Sequence, residues 1–483
     1  MKFAAAPAIV ALIAALGVTG TAGAEDLLQV YRDALENDPQ IREADANRRA
    51  AREARPQAWA ALLPQINGTA QISRGDENLF RTGPTVFTDR NTGQSVLVQF
   101  ENETDTEPET EQWSLELRQN VFSWANWAAL RRSGHEVAQA EADYRAAAQN
   151  LLVRVAEAYF NVLAARDNLD AEQAALEAIS RQLEQAEKRF EVGLIAITDV
   201  QDARAARDTA SANVIAAKRA LATAEELLRE ITGKKYETLV KPSTAMPLKT
   251  PEPADEARWV EAALNQNLEL QSTRLAADIA RENVRAAFGG HLPTIDFVAS
   301  RNHFREESTS FFAPVPDIGF EGGSGPSVMD QDDTTYSLQL RVPIFASGGT
   351  RSRVREQEYR WLAAKERVVR ISRQTERAAR DAYLGVISEI SRVNALRQAL
   401  ESSETSLRAT EAGYEVGTRT AVDVLDARRQ LVAAQTNYAR SRYDYILNVI
   451  RLRNAAGELD EKTIQEVNDW ISVPGPPATP RQP

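Results

Sequence analysis

Apolar residues recur every seven positions at Val155, Val162, Leu169, Leu176, Leu183 and Phe190, with Ala158, Ala165, Ile179 and Ala186 three positions further on. The spacing returns at Ala379, Val386, Val393, Leu400, Leu407 and Tyr414. A sustained heptad with small companions predicts a coiled-coil seam with close helix approach. A helix from about residue 126 to 190 is about 100 Å long at ~1.5 Å per residue, beyond any ordinary globular core. The second long helix runs to 415. Shorter helices are predicted over 26–61 and 255–288, and after the long ones over 198–231 and 422–456.

Four other stretches alternate with period two: Ile66, Gly68, Ala70, Ile72; Trp113, Leu115, Leu117; Ile295, Phe297, Ala299; and Tyr336, Leu338, Leu340, Val342. They predict strands over about 63–73, 112–122, 292–302 and 335–345. The intervening 74–112 and 301–335, rich in Gly, Pro, Asp and Glu, are read as surface loops. The class is mixed α and β.

The chain is internally duplicated. EVGLIAITDVQDAR at 191–204 returns 224 residues later as EVGTRTAVDVLDAR at 415–428, with eight identities in register. Each copy is the tip of a helical hairpin, and each half reads helix, strand, loop, strand, long helix, turn, helix. The organisation is a first repeat over 25–240, a Pro-rich linker and equatorial segment over 241–254, a second repeat over 255–457, and an equatorial and disordered tail over 458–483.

Residues 1–24 read as a secretory signal, with Lys2, an apolar run from Ala8 to Leu16, and the small residues Ala22, Gly23 and Ala24 before the cleavage point. Without Lys2 the chain has 56 Lys and Arg against 69 Asp and Glu, which argues against nucleic acid bound by a basic face. No later stretch reaches the roughly 20 apolar residues of a membrane-spanning helix, so membrane entry requires a barrel. Four strands cannot close one, since about eight are needed before the interior can be filled. The barrel is therefore shared between chains. The absence of Cys excludes disulfides and thiolate metal sites.

AGYEVGTRTAVDVLDA at 412–427, RFEVGLIAITDVQ at 189–201, the paired LLPQ at 62–65 and HLPT at 291–294, AYFNVLA at 158–164 and LREITG at 228–233 carry a likeness over the whole mature chain. In these strings the sequence resembles the TolC family of bacterial outer-membrane channel-tunnels. The resemblance implies a homotrimer with one twelve-stranded barrel, four strands per chain, continuing into a periplasmic tunnel of coiled-coil hairpins. It implies export of proteins or small toxic compounds received from an inner-membrane transporter (ABC, RND or MFS type) and a periplasmic adaptor. Outer-membrane lipid is the further partner, with no cofactor and no catalytic centre.

In that family the second hairpin tip and its neighbour close the periplasmic entrance, and the matching residues are Asp199, Tyr414, Arg419, Asp423 and Asp426. Asp423 and Asp426, three apart, project from one helical face. Threefold symmetry would set six carboxylates around a narrow axis, repelling one another and favouring cations. Arg419 stands where the first copy has Ile195, which makes the polar second tip the moving half of the gate. Gly193, Gly417 and Asp202 mark the tips and the groove for an adaptor. A plainer account also holds: acidic residues in a helix's first turn complement its dipole, and these glycines fit C-terminal caps.

Other signals are weaker. The acidic residues at alternate positions over 101–111 suit a solvated outer loop, or one that binds cations or lipid. Phe122, Trp124, Trp127 and Phe345 mark a membrane-interface girdle or simple packing where strands meet helices. His135, His291 and His303 lack metal-ligand spacing, and Gly322–Gly325 lacks the setting of a phosphate loop. A soluble periplasmic coiled-coil adaptor explains the signal and heptads but not four strands in two equivalent places.

Overall fold

Two helices dominate the chain, each about 100 Å long at ~1.5 Å per residue: α4 (Trp124–Glu191) and α8 (Gly349–Glu415). The structure, a computed structural model, describes residues 25–88, 93–243, 246–312 and 321–472. The signal segment 1–24 and the Pro-rich end 474–483 lie outside the described residues. The remaining elements are α1 (Leu27–Asn37), α2 (Pro39–Arg52), α3 (Ala54–Ala60), β1 (Gln65–Arg74), β2 (Glu77–Thr88), β3 (Ser95–Phe122), α5 (Ile197–Thr232), α6 (Glu256–Gln266), α7 (Leu268–Phe288), β4 (Thr294–Phe312), β5 (Gly323–Arg341), α9 (Ala421–Ala456) and α10 (Glu461–Ser472).

The chain forms two compact units. One takes the described residues up to Asn47, with 142–271 and those from Arg370 onward; the other takes 48–141 and 272–369. Each unit draws on both sequence repeats, so the duplication does not divide the molecule into two bodies.

In the helical unit, heptad residues from both repeats enter one core. Val155 and Val162 of α4 and Val386 and Val393 of α8 are buried with Leu27 and Val30 of α1, Ile446 and Ile450 of α9, and Ile464 of α10. Burial falls toward the tips, where Phe190 is 41% exposed. The 241–254 linker is held by side chains that satisfy its backbone. Tyr445 OH accepts from Lys249 N at 2.8 Å and donates to Lys249 O at 2.9 Å, Arg442 donates to Pro242 O at 2.9 Å, and Trp259 Nε1 donates to Pro253 O at 2.8 Å.

Two features correct the sequence reading here. The helices over 26–61 and 255–288 are each broken. Buried Asp38 starts α2 by accepting from Ile41 N at 3.1 Å, with Pro39 at the first helical position, and Asn267 starts α7 by accepting from Leu270 N at 3.1 Å. The two breaks stand 229 residues apart, at equivalent places in the repeats. Residues 461–472 of the segment read as tail form α10, capped by Asp460, which accepts from Thr463 N at 2.9 Å. Ile464 and Val467 of α10 are buried, and Asn468 Nδ2 donates to Asp26 Oδ2 at 2.9 Å.

The other unit carries an antiparallel sheet of order β1-β3-β4-β5, with β2 also on β3. β1 pairs with 109–118 of β3 and β2 with 95–106, so they lie end to end and the sheet is four strands wide. The loops expected over 74–112 and 301–335 are therefore mostly strand. β3 alone has 28 residues, about 90 Å at ~3.3 Å per residue, where a membrane needs only about ten. Both outer edges, β1 with β2 and β5, are unpaired among the described residues.

Register gathers the alternating apolar residues on one face. Cross-strand rows run Ile66, Leu117, Ala299, Tyr336; then Gly68, Leu115, Arg301, Thr334; then Ala70, Trp113, His303, Asp332. The opposite face holds Thr69 and Ser114, hydrogen-bonded at 2.7 Å, and Asn120, whose Nδ2 donates to Asp296 at 3.0 Å. Where the strands meet helices, a Cβ on Gly289 would sit 2.9 Å from Ala125 N, so only glycine fits. Trp124 lies against Arg131, with 5.3 Å between guanidinium and ring, while Trp127 and Phe345 are exposed.

Candidate functional site at the hairpin tips

The two tips share a backbone design. Gly193 at φ +75° donates to Phe190 O at 2.8 Å, and Gly417 at φ +81° donates to Tyr414 O at 3.1 Å. Leu194 N and Thr418 N then reach Arg189 O and Gly413 O, each at 2.8 Å. These are left-handed helix caps, and an added Cβ would meet nothing within 4 Å at either glycine. Backbone conformation, not space, calls for glycine.

Equivalent ion pairs join the arms of each hairpin. Arg204 of α5 pairs with Glu187 of α4 at 3.0 Å, and Arg428 of α9 pairs with Glu411 of α8 at 2.5 Å. The tips themselves differ. Ile195 packs against Ala186, Val200 and Ala203, and α5 starts at Ala196 without a side-chain cap. In the second tip Thr420 caps α9: its hydroxyl accepts from Asp423 N at 3.2 Å while its own amide donates to Asp423 Oδ2 at 2.8 Å. This is a capping box. Hydrogen bonds from the Thr420 amide and hydroxyl, with a smaller contribution from the Arg419 charge, hold the Asp423 carboxyl below its ordinary value.

The residues expected at the gate fall in different settings. Asp423 is engaged by Thr420, and Asp426 pairs with Arg429 of its own helix at 3.0 Å. The plainer reading, helix-start carboxylates, therefore describes Asp423 within the chain. Tyr414 packs among Leu407, Val424 and Ala427, and its ring lies 5.2 Å from the Arg189 guanidinium on the first hairpin. Arg419 folds back over the last turn of α8, where a Cβ on Gly413 would lie 2.8 Å from its Cγ. Asp199, Asp202 and Arg419 make no side-chain hydrogen bond or ion pair among the described residues.

Arg189 and Gly413 were not singled out from sequence, though the signal was there. They are equivalent positions in the two repeats, as are Ile195 and Arg419. The cation sits on the long helix in one copy and on the turn in the other. Among the described residues no helix is long and apolar enough to cross a membrane.

Comparison with known proteins agrees with this architecture. The family model described as outer membrane efflux protein matches residues 30–234 and 259–458. The chain is 36% identical over 463 residues to the outer membrane protein TolC of Vibrio cholerae serotype O1, covering 95% of this chain and 97% of the relative. It is 27% identical over 443 residues to the alkaline protease secretion protein AprF of Pseudomonas aeruginosa, covering 91% of this chain and 86% of the relative. The solved structure of the outer membrane protein VceC from Vibrio cholerae superposes with a TM-score of 0.68 at 20% identity, over 89% of this chain and 96% of that one. The chain belongs to the outer membrane efflux protein family and is an outer-membrane channel for efflux and secretion, not a soluble adaptor.

Proposed function

We propose that three copies of the chain close one twelve-stranded barrel, open to the exterior, whose periplasmic entrance is gated at the hairpin tips. The observation that carries this is the four-strand-wide sheet with two unpaired edges and one apolar face. In lipid such edges must be paired. Two copies would give eight strands, whose interior side chains fill, whereas twelve leave a passage.

At the entrance, the Arg419 guanidinium of one copy takes the free Asp199 carboxylate of its neighbour, while Tyr414 remains over Arg189. Gating then amounts to releasing a few polar contacts, a change a docking partner can drive. The groove around Gly193, Gly417 and Asp202 receives a helical periplasmic adaptor, which brings an inner-membrane transporter. A relative named for protease secretion and a family described by efflux support both kinds of cargo. The signal over 1–24 directs export, and the channel has no catalytic centre or cofactor.

Native mass spectrometry of the detergent-extracted mature protein tests the assembly. A three-chain species is expected. A monomer or a two-chain species, from protein fractionating with the outer membrane, contradicts the closure.

A further inference from the structure

We infer that Arg301, with Trp113, forms a site on the lipid-facing wall for the phosphate of an anionic lipid headgroup. The inference rests on reading the apolar sheet face as the membrane-facing one. On that face the rows from the helical end hold Phe122, Ile295 and Leu340, then Gln119, Phe297 and Leu338, then Leu117, Ala299 and Tyr336. Arg301 enters in the next row, directly between Leu115 and Thr334, and is exposed. It is the first charge met after the apolar band.

Its partners are aromatic rather than acidic. The guanidinium stands 6.0 Å from the Trp113 ring centroid, and Arg301 makes no hydrogen bond or ion pair among the described residues. The nearest carboxylates on this face are occupied: His303 Nδ1 is 3.3 Å from Asp332 and 3.8 Å from Asp330, and the His303 ring stacks on Trp113 at 5.7 Å. One row further out, Arg305 is taken by Glu307.

From Thr334 to Val342 the chain runs nine residues, within the roughly nine to eleven that a tilted strand needs to cross the hydrocarbon. Arg301 therefore sits at the outer edge of the apolar band, at the level where aromatic girdles meet headgroups. A cation there without a protein counter-charge is costly unless an anion neutralises it. Its planar fork, backed by Trp113, matches a phosphate bidentately.

The test uses the full mature protein reconstituted in phosphatidylcholine vesicles, with or without lipopolysaccharide, followed by extraction and native mass spectrometry. Wild type should retain lipopolysaccharide over phosphatidylcholine, and Arg301→Gln should lower that retention roughly tenfold, the scale of lost charge-assisted hydrogen bonds. Arg301→Lys should keep part of it, and Arg305→Gln should leave it unchanged. Inorganic phosphate added in excess should not displace the lipid. Wild type showing no preference, Arg301→Gln retaining as much as wild type, or displacement by inorganic phosphate overturns the site. Heat-modifiable migration of each sample separates that failure from failure of the barrel itself, since a closed barrel without lipid preference removes only the headgroup site.

Discussion

The ring of Tyr414 on the second hairpin lies 5.2 Å from the guanidinium of Arg189 on the first. This couples the two tips of one chain through the face of the ring, leaving the Tyr414 hydroxyl available to a neighbouring copy. Tyr414→Phe keeps the cation–π contact and removes only the hydroxyl, whereas Tyr414→Ala removes both. Resting conductance in a planar bilayer should rise modestly in the first variant and further in the second. Equal conductance in the two would assign the ring no part in closure.

The capping box predicts a local pH response. A carboxyl whose folded value is lowered, as at Asp423, stabilises the folded tip where it is ionised, above the ordinary value of 3.8, and loses that contribution as pH falls through the lower folded value. Hydrogen exchange at 421–424, corrected for the intrinsic rate at each pH, should thus be slow at neutral pH and accelerate below the ordinary carboxylate range. Thr420→Ala should accelerate it already at neutral pH, by about fivefold for a typical cap. Unchanged exchange in Thr420→Ala would remove the box as the element that fixes this turn.

The equivalent ion pairs should not contribute equally. Arg428 is 20% exposed and Arg204 54%, so the second pair is less screened. Arg428→Met should lower the thermal midpoint more than Arg204→Met, whose effect should stay within about 1 kcal/mol. The charge-swapped double variant Glu411→Arg with Arg428→Glu should recover part of the loss.

Asp38 serves two elements. Buried, it accepts from Arg154 Nη2 at 2.6 Å as well as capping α2 through Ile41 N. Asp38→Ala leaves both donors short and should cost about 2–4 kcal/mol in denaturant unfolding. Asp38→Asn keeps the cap and should cost less.

Much of this was legible in residue patterns. The heptads placed the long helices, and the repeated tip strings placed both turns, because glycine at positive φ and close helix approach leave strict spacing. Strand extent was hidden, since beyond Trp113 and His303 charged and polar residues are mixed with apolar ones on both sheet faces and the strict alternation is lost. The break at Asp38 had a visible signal in Pro39, and α10 had one in Asp460 followed by Ile464 and Val467. Thr420 three residues before Asp423 likewise spelled a capping box. What a single chain's pattern could not supply was the Arg189 contact with Tyr414, which joins residues 225 apart.

The most direct measurement is single-channel conductance of the purified mature protein beside the Tyr414→Phe, Arg419→Ser double variant. A small, cation-favouring wild-type current that grows several-fold in the variant is the result predicted for a channel closed at its second hairpin. An identical current from both proteins would contradict the placement of the gate, and no current from either would contradict the channel.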